Sequence, residues 1–236
     1  MRQRFLFFVP YGLVGIIHLV ALFLAESGQP IGDLAGFSKL LLMPALLVAL
    51  LGVLLTGPLP QSSSRIALFG GLGILFSWFG DALIASPGDL GFLLGLGSFL
   101  LAHLAYLTLI ARELRVRRVP RGALAYAIWW VAFVAILAPH AGVLLVPIAI
   151  YGLVLGAVAA FALAANRVVA VGAGVFLVSD SLLGLHMFLP GFEFWQIDVL
   201  IMLTYLGGQG LIAWGALEHA RSTRARLVPE PVGVAA

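Results

Sequence analysis

The chain has 236 residues, 62% of them hydrophobic and only 10% charged, with a formal net charge of +3. A soluble domain carries about 25% charged residues, so too few are present to cover a water-facing surface. The lack of cysteine excludes disulfides, thiolate catalysis and cysteine-ligated metal.

The apolar residues come in long runs, each near the ~20 residues that cross a hydrocarbon core, and the ~10-residue alternation of a membrane β-barrel is not seen. The fold class is therefore all-α, a polytopic bundle of about eight transmembrane helices. In chain order the spans are expected at about 5–25, 35–56, 66–86, 90–111, 122–138, 141–163, 168–189 and 196–217. The first lies in "MRQRFLFFVPYGLVGIIHLVALFLAES", whose apolar stretch is too long for a signal-peptide core and reads as a retained span. Gly and Pro punctuate the connections "GQPIGD", "TGPLPQSSS", "SPGD" and "LPGFEFWQ". The fifth and sixth spans divide at "APHAG", Ala138 to Gly142. No connection is long enough to hold a second domain. The chain reads as a single transmembrane domain, 1–236, ending in a cytoplasmic tail, 218–236.

Eight crossings collect Arg2, Arg4, Arg65, Arg112, Arg115, Arg117, Arg118, Arg121, Arg167, Arg221, Arg224 and Arg226 on one face and leave Lys39 on the other. Positive charge marks the cytoplasmic side, so both termini are expected there, in a bacterial inner membrane. The same arginines account for the basic pI of about 9.7. They orient the chain and meet anionic lipid; no nucleic-acid partner is expected. The two halves also echo one another. "FSWFGDAL" (Phe76 to Leu83) and "FLVSDSLL" (Phe176 to Leu183) each set an Asp between small residues, four spans apart, as two four-helix repeats would.

Those two aspartates are the unusual residues. An ionisable side chain within a span costs a few kcal/mol on insertion scales and faces a partner or a wet cavity. The candidates are His18, Lys39, Asp81, His103 and Asp180, with Ser77, Tyr106, Ser179, Tyr205 and Gln209 as uncharged neighbours. Counting 1.5 Å per residue from the outer ends, Lys39 and Asp81 lie roughly 6–8 Å deep, His18 roughly 10 Å, Asp180 and Tyr205 roughly 14 Å, and His103 and Gln209 roughly 20 Å. This is a polar line from the outer interface to mid-membrane. His186 lies near an interface, and Asp89, Glu193 and Asp198 fall in outer turns as solvated or capping groups. The bland alternatives are a helix-end role for Asp81, a structural Asp180, a snorkelling Lys39, a hydrogen-bonded interior His103, and inter-helix hydrogen bonding by Tyr205 and Gln209.

Two carboxyls in a low-dielectric site can hold a proton unequally, one as acid and the other as carboxylate. Such a pair serves reactions that pass through an oxocarbenium ion. A proton-coupled carrier for small molecules or lipids would use the same residues. Metal-assisted amide hydrolysis would need a histidine cluster, and only His18 and His103 are placed for one.

The chain resembles the lysoplasmalogenase family, the YhhN-like membrane proteins. The matching pieces, in the family's order, are "SKLLLMP", "GDALIA", "GLGSFLLAHLAYL", "GAGVFLVSDSLLGLHMF" and "LTYLGGQGLIAWG", from Lys39 to Gly215. The resemblance implies hydrolysis of the vinyl ether bond of a lysophospholipid, giving a fatty aldehyde and a glycerophospho-headgroup, with no metal or organic cofactor. It implies catalytic roles for Asp81 and Asp180, and substrate-binding roles for Lys39, His103, Tyr205 and Gln209. Asp180, being deeper, is the better placed acid. Two departures bear on local shape: Lys39 is followed by Leu40 instead of proline, with Pro44 further on, and "TYLGGQ" carries extra glycines that widen the cavity or pack.

Overall fold

The computed structural model describes residues 2–56, 61–86, 88–115 and 117–227. Residues 57–60 of the "TGPLPQSSS" connection, Pro87 of "SPGD", Val116, and 228–236 of the expected tail lie outside the described residues. So do the side chains of Arg2, Arg4, Asp89, Arg224 and Arg226, and the expected arginine face is described only in part.

Among the described residues there are eight α-helices and no strand: α1 (Arg2–Glu26), α2 (Gly32–Leu55), α3 (Gln61–Ile84), α4 (Asp89–Thr108), α5 (Leu124–Leu137), α6 (Leu145–Ala162), α7 (Arg167–Phe188) and α8 (Ile197–Leu227). A π-helical turn, Leu109–Leu114, extends α4, and short 3₁₀ turns open α5 and α6. Seven of the helices are long and apolar enough to cross a membrane. The apolar stretch through α5, Arg121–Leu137, is shorter. Its chain enters after Pro120 through a 3₁₀ turn, so only 14 residues are regular α-helix. The outer surface is what lipid demands. α1 turns Leu13, Ile16, Ile17 and Val20 outward at the i, i+3, i+4, i+7 spacing of one helical face. The protein is an all-α, multi-pass membrane bundle.

Helix ends gather the polar contacts. At one end Arg65 pairs with Glu113 at 3.3 Å, and the Arg117 guanidinium donates twice to the Leu163 carbonyl, at 3.0 and 2.7 Å. At the other end the Gln196 amide donates to the Phe23 carbonyl at 3.3 Å, tying the start of α8 to the end of α1. Asn166 caps α7, accepting from the Val169 N–H at 2.9 Å while donating to the Gly215 carbonyl at 2.7 Å. It thereby satisfies a first-turn donor and fastens α7 to α8.

Two details settle the local shapes left open by the sequence. α2 runs unbroken through Pro44. A proline cannot donate to the carbonyl four residues back, here that of Leu40. The Trp78 indole N–H of α3 donates to that carbonyl at 2.9 Å. In "TYLGGQ", Gly208 packs against α7: a Cβ there would stand 2.8 Å from the Phe176 backbone nitrogen, and one at Gly172 would stand 2.8 Å from the Ile212 nitrogen. Small residues let membrane helices approach closely, so this glycine brings α7 and α8 together.

Candidate active site

A cavity of about 350 Å³ lies within the bundle. Every helix lends it a side chain: His18 from α1, Lys39 from α2, Asp81 from α3, Phe99 from α4, Phe133 from α5, Tyr151 from α6, Asp180 from α7 and Tyr205 from α8. Its rim is formed by Gly36, Met187 and Asp198, which reach the surface where α2 starts, α7 ends and α8 starts. The cavity therefore opens at the end of the bundle remote from Arg65 and Arg117. Most of the remaining wall is Leu, Ile, Met and Phe. An apolar chamber with a few convergent polar groups is the form a ligand site takes.

Asp81 and Asp180 both face this one chamber. Asp81 is 4% exposed. The Lys39 ammonium stands 3.6 Å from its Oδ1, and the Tyr205 hydroxyl donates to its Oδ2 at 2.8 Å. A buried carboxylate needs a counter-ion and hydrogen-bond donors to offset its lost hydration; here α2 supplies the first and α8 the second. Lys39 is itself only partly exposed, 28% by side chain, and its ammonium turns into the chamber wall toward Asp81.

Asp180 is held differently. The Tyr151 hydroxyl donates to its Oδ2, which leaves Oδ1 as the oxygen that can carry a proton. The nearest basic group is the His103 imidazole, whose Nε2 lies 3.9 Å from Oδ2. His103 Nδ1 meets the Phe99 carbonyl at 2.8 Å. A carbonyl only accepts, so Nδ1 bears the hydrogen and the neutral ring offers Nε2 as an acceptor. Among the described residues Asp81 thus has a fixed cation beside it and Asp180 has none.

Of the residues expected at the site, Lys39, Asp81, Asp180 and Tyr205 converge on the cavity, while His103 and Gln209 are not among its lining residues. His103 is fully buried behind Tyr151, with ring centroids 5.2 Å apart. Gln209 accepts from the Tyr106 hydroxyl at 2.5 Å and donates to the Ser77 hydroxyl at 2.9 Å. Its amide is committed to knitting α3, α4 and α8 together. Tyr151 escaped the sequence reading. The signal was there: it is the single polar side chain in α6. His18, given no role from sequence, also lines the chamber. Among the described residues no three His, Asp or Glu side chains come together as a metal site would require.

The family model described as the YhhN family matches residues 34–216 of the chain. The chain belongs to the YhhN family. Curated relatives named Lysoplasmalogenase from Mycobacterium bovis and Mycobacterium tuberculosis are each 35% identical to it over 152 residues. The match covers 60% of this chain and 58% of theirs, so the chain spans under two thirds of these relatives' length. No solved structure matches it. The YhhN match takes in Lys39, Asp81, His103, Asp180, Tyr205 and Gln209. It begins after α1, so His18 stands outside it.

Proposed function

We propose that this YhhN protein hydrolyses the vinyl ether bond of a lysoplasmalogen or related lysolipid, releasing a fatty aldehyde and a glycerophospho-headgroup. The observation that carries the reading is the convergence of Asp81, with its Lys39 counter-ion, and Asp180, without a fixed one, on a single apolar chamber. The name of the mycobacterial relatives supplies the substrate class.

The two carboxyls divide the work by their surroundings. Asp180 acts as the acid and delivers a proton from Oδ1 to the alkenyl carbon distal to the ether oxygen. The resulting oxocarbenium ion is stabilised by the Asp81 carboxylate, which Lys39 and Tyr205 hold in place. Water adds to the cationic carbon and gives its proton to Asp81. The hemiacetal then collapses: its C–O bond to glycerol breaks as Asp81 passes its proton to the glycerol oxygen, the hemiacetal hydroxyl gives its proton to Asp180, and the aldehyde leaves. Over the cycle one water is consumed and the carboxyls regain their starting states. Lys39 also offers a positive charge to the lipid phosphate. His103 and Gln209 act from behind the wall, His103 by setting Tyr151 and Gln209 by holding α8. The whole chain serves as one transmembrane domain, with 218–236 and the N-terminus on the cytoplasmic face of a bacterial inner membrane.

The test is mass spectrometry of detergent-purified protein incubated with a panel of lysolipids, beside Asp81→Asn and Asp180→Asn. Aldehyde release by the unmodified chain and loss of about 10²–10⁴-fold in each variant are expected. Full activity in both variants overturns the two-aspartate scheme. Proteoliposome flux with no aldehyde replaces the hydrolase with a proton-coupled carrier.

A further inference from the structure

His18 is bound on one side only. It comes from α1, outside the family match, and is 2% exposed. Its Nδ1 lies 3.1 Å from the Ala35 carbonyl and 3.0 Å from the Ser38 hydroxyl. Ser38 in turn donates its own hydrogen to the Ala35 carbonyl at 3.1 Å. Both neighbours of Nδ1 are therefore acceptors, so Nδ1 carries the ring hydrogen and Nε2 is a bare acceptor. Nε2 has no hydrogen-bond partner among the described residues, and a buried acceptor left unmet is costly. His18 lines the chamber alongside Lys39, which follows Ser38 directly in α2.

We infer that His18 is a ligand-reading residue whose Nε2 accepts a hydrogen bond from a hydroxyl of the molecule in the chamber. The donor could be a hydroxyl or an ammonium group. The neighbouring Lys39 cation repels an ammonium, which leaves the hydroxyl. The inference rests on the lysolipid reading above and sharpens it. In a monoradyl glycerophospholipid the free glycerol hydroxyl sits between the ether oxygen and the phosphate. His18 at that hydroxyl would place the ether bond near the aspartates and the phosphate near Lys39. A diradyl lipid has an ester at that carbon and no hydrogen to donate. His18 thus discriminates between one-chain and two-chain lipids, and its Nδ1 contacts with α2 fix the ring for the purpose.

The experiment measures binding, so it does not depend on hydrolysis. A saturated 1-alkyl ether lysolipid, which carries no vinyl ether, is titrated in detergent against its 2-deoxy analogue. The purified protein should bind the hydroxyl form about tenfold more tightly, the scale of one hydrogen bond to a site built for it. His18→Phe keeps a ring and removes the acceptor; it should bind both forms alike. His18→Gln, which restores an acceptor, should recover most of the preference. Equal binding of the two lipids by the unmodified protein overturns the inference without any variant, as does an undiminished preference in a folded His18→Phe. If the hydroxyl preference holds while Asp81→Asn and Asp180→Asn retain full activity, the hydrolysis scheme fails and the role of His18 stands.

Discussion

Trp78 gives its indole N–H to the Leu40 carbonyl, the acceptor that Pro44 deprives of its helical donor. The bond joins α3 to α2 at the residue after Lys39 and three residues before Asp81. Packing and ion pair are thus linked: the contact that repairs the proline defect also holds the two charged side chains in register.

Trp78→Phe removes the donor from that carbonyl, which lies at the exposed side of α2. A loss of about 0.5–1.5 kcal/mol is expected, read from unfolding in mixed micelles. Pro44→Ala returns an N–H to Leu40 within α2. In that background Trp78→Phe should cost distinctly less, and an equal cost in both backgrounds would show that the indole acts by packing alone.

Lys39→Met deletes the counter-ion of Asp81 while keeping most of the stem. Under the proposed chemistry kcat/KM should fall about 10–100-fold, roughly 1.4–2.8 kcal/mol of transition-state stabilisation, as the ion-pair partner of a buried carboxylate is lost. Because Lys39 acts partly through Asp81, adding Lys39→Met to Asp81→Asn should lower the residual rate far less than it lowers the parent. Fully multiplicative losses would separate the two residues.

Gly208→Ala puts a methyl group 2.8 Å from the backbone nitrogen of Phe176. α7 must move away from α8, carrying Asp180 away from Tyr205 and Asp81. A destabilisation of about 1–3 kcal/mol together with loss of turnover is expected. Gly207→Ala is the control: its nearest contact is a Val175 methyl at 3.7 Å, an ordinary distance, and stability should change by less than about 0.5 kcal/mol. Comparable damage from both would mean that the close approach is not what the glycine serves.

The sequence made the bundle and its acids legible for one reason: charge is so rare in these segments that each instance stands out. Lys39, Asp81 and Asp180 could be named as convergent without coordinates, and they line one chamber. His103 and Gln209 show the limit of such reasoning. Residue counting yields depth along a helix axis but not the direction in which a side chain points, and both residues turn into the packing behind the wall. Tyr151 was overlooked, and His18 was named without a role, for a related reason. A lone tyrosine or histidine in an apolar helix is ordinarily a packed residue with one polar tip, and only its neighbours reveal what the tip reaches. The brevity of α5 was hidden too, since 122–138 is apolar throughout and only the 3₁₀ turn after Pro120 shortens it.

Because each of the eight helices supplies part of the chamber wall, no fragment of the chain encloses it. Cutting between α4 and α5 would leave Lys39 and Asp81 on one piece and Tyr151, Asp180 and Tyr205 on the other. During synthesis the acids would be unsheltered until α8 emerged, so the reactive compartment comes into being only with the last helix inserted.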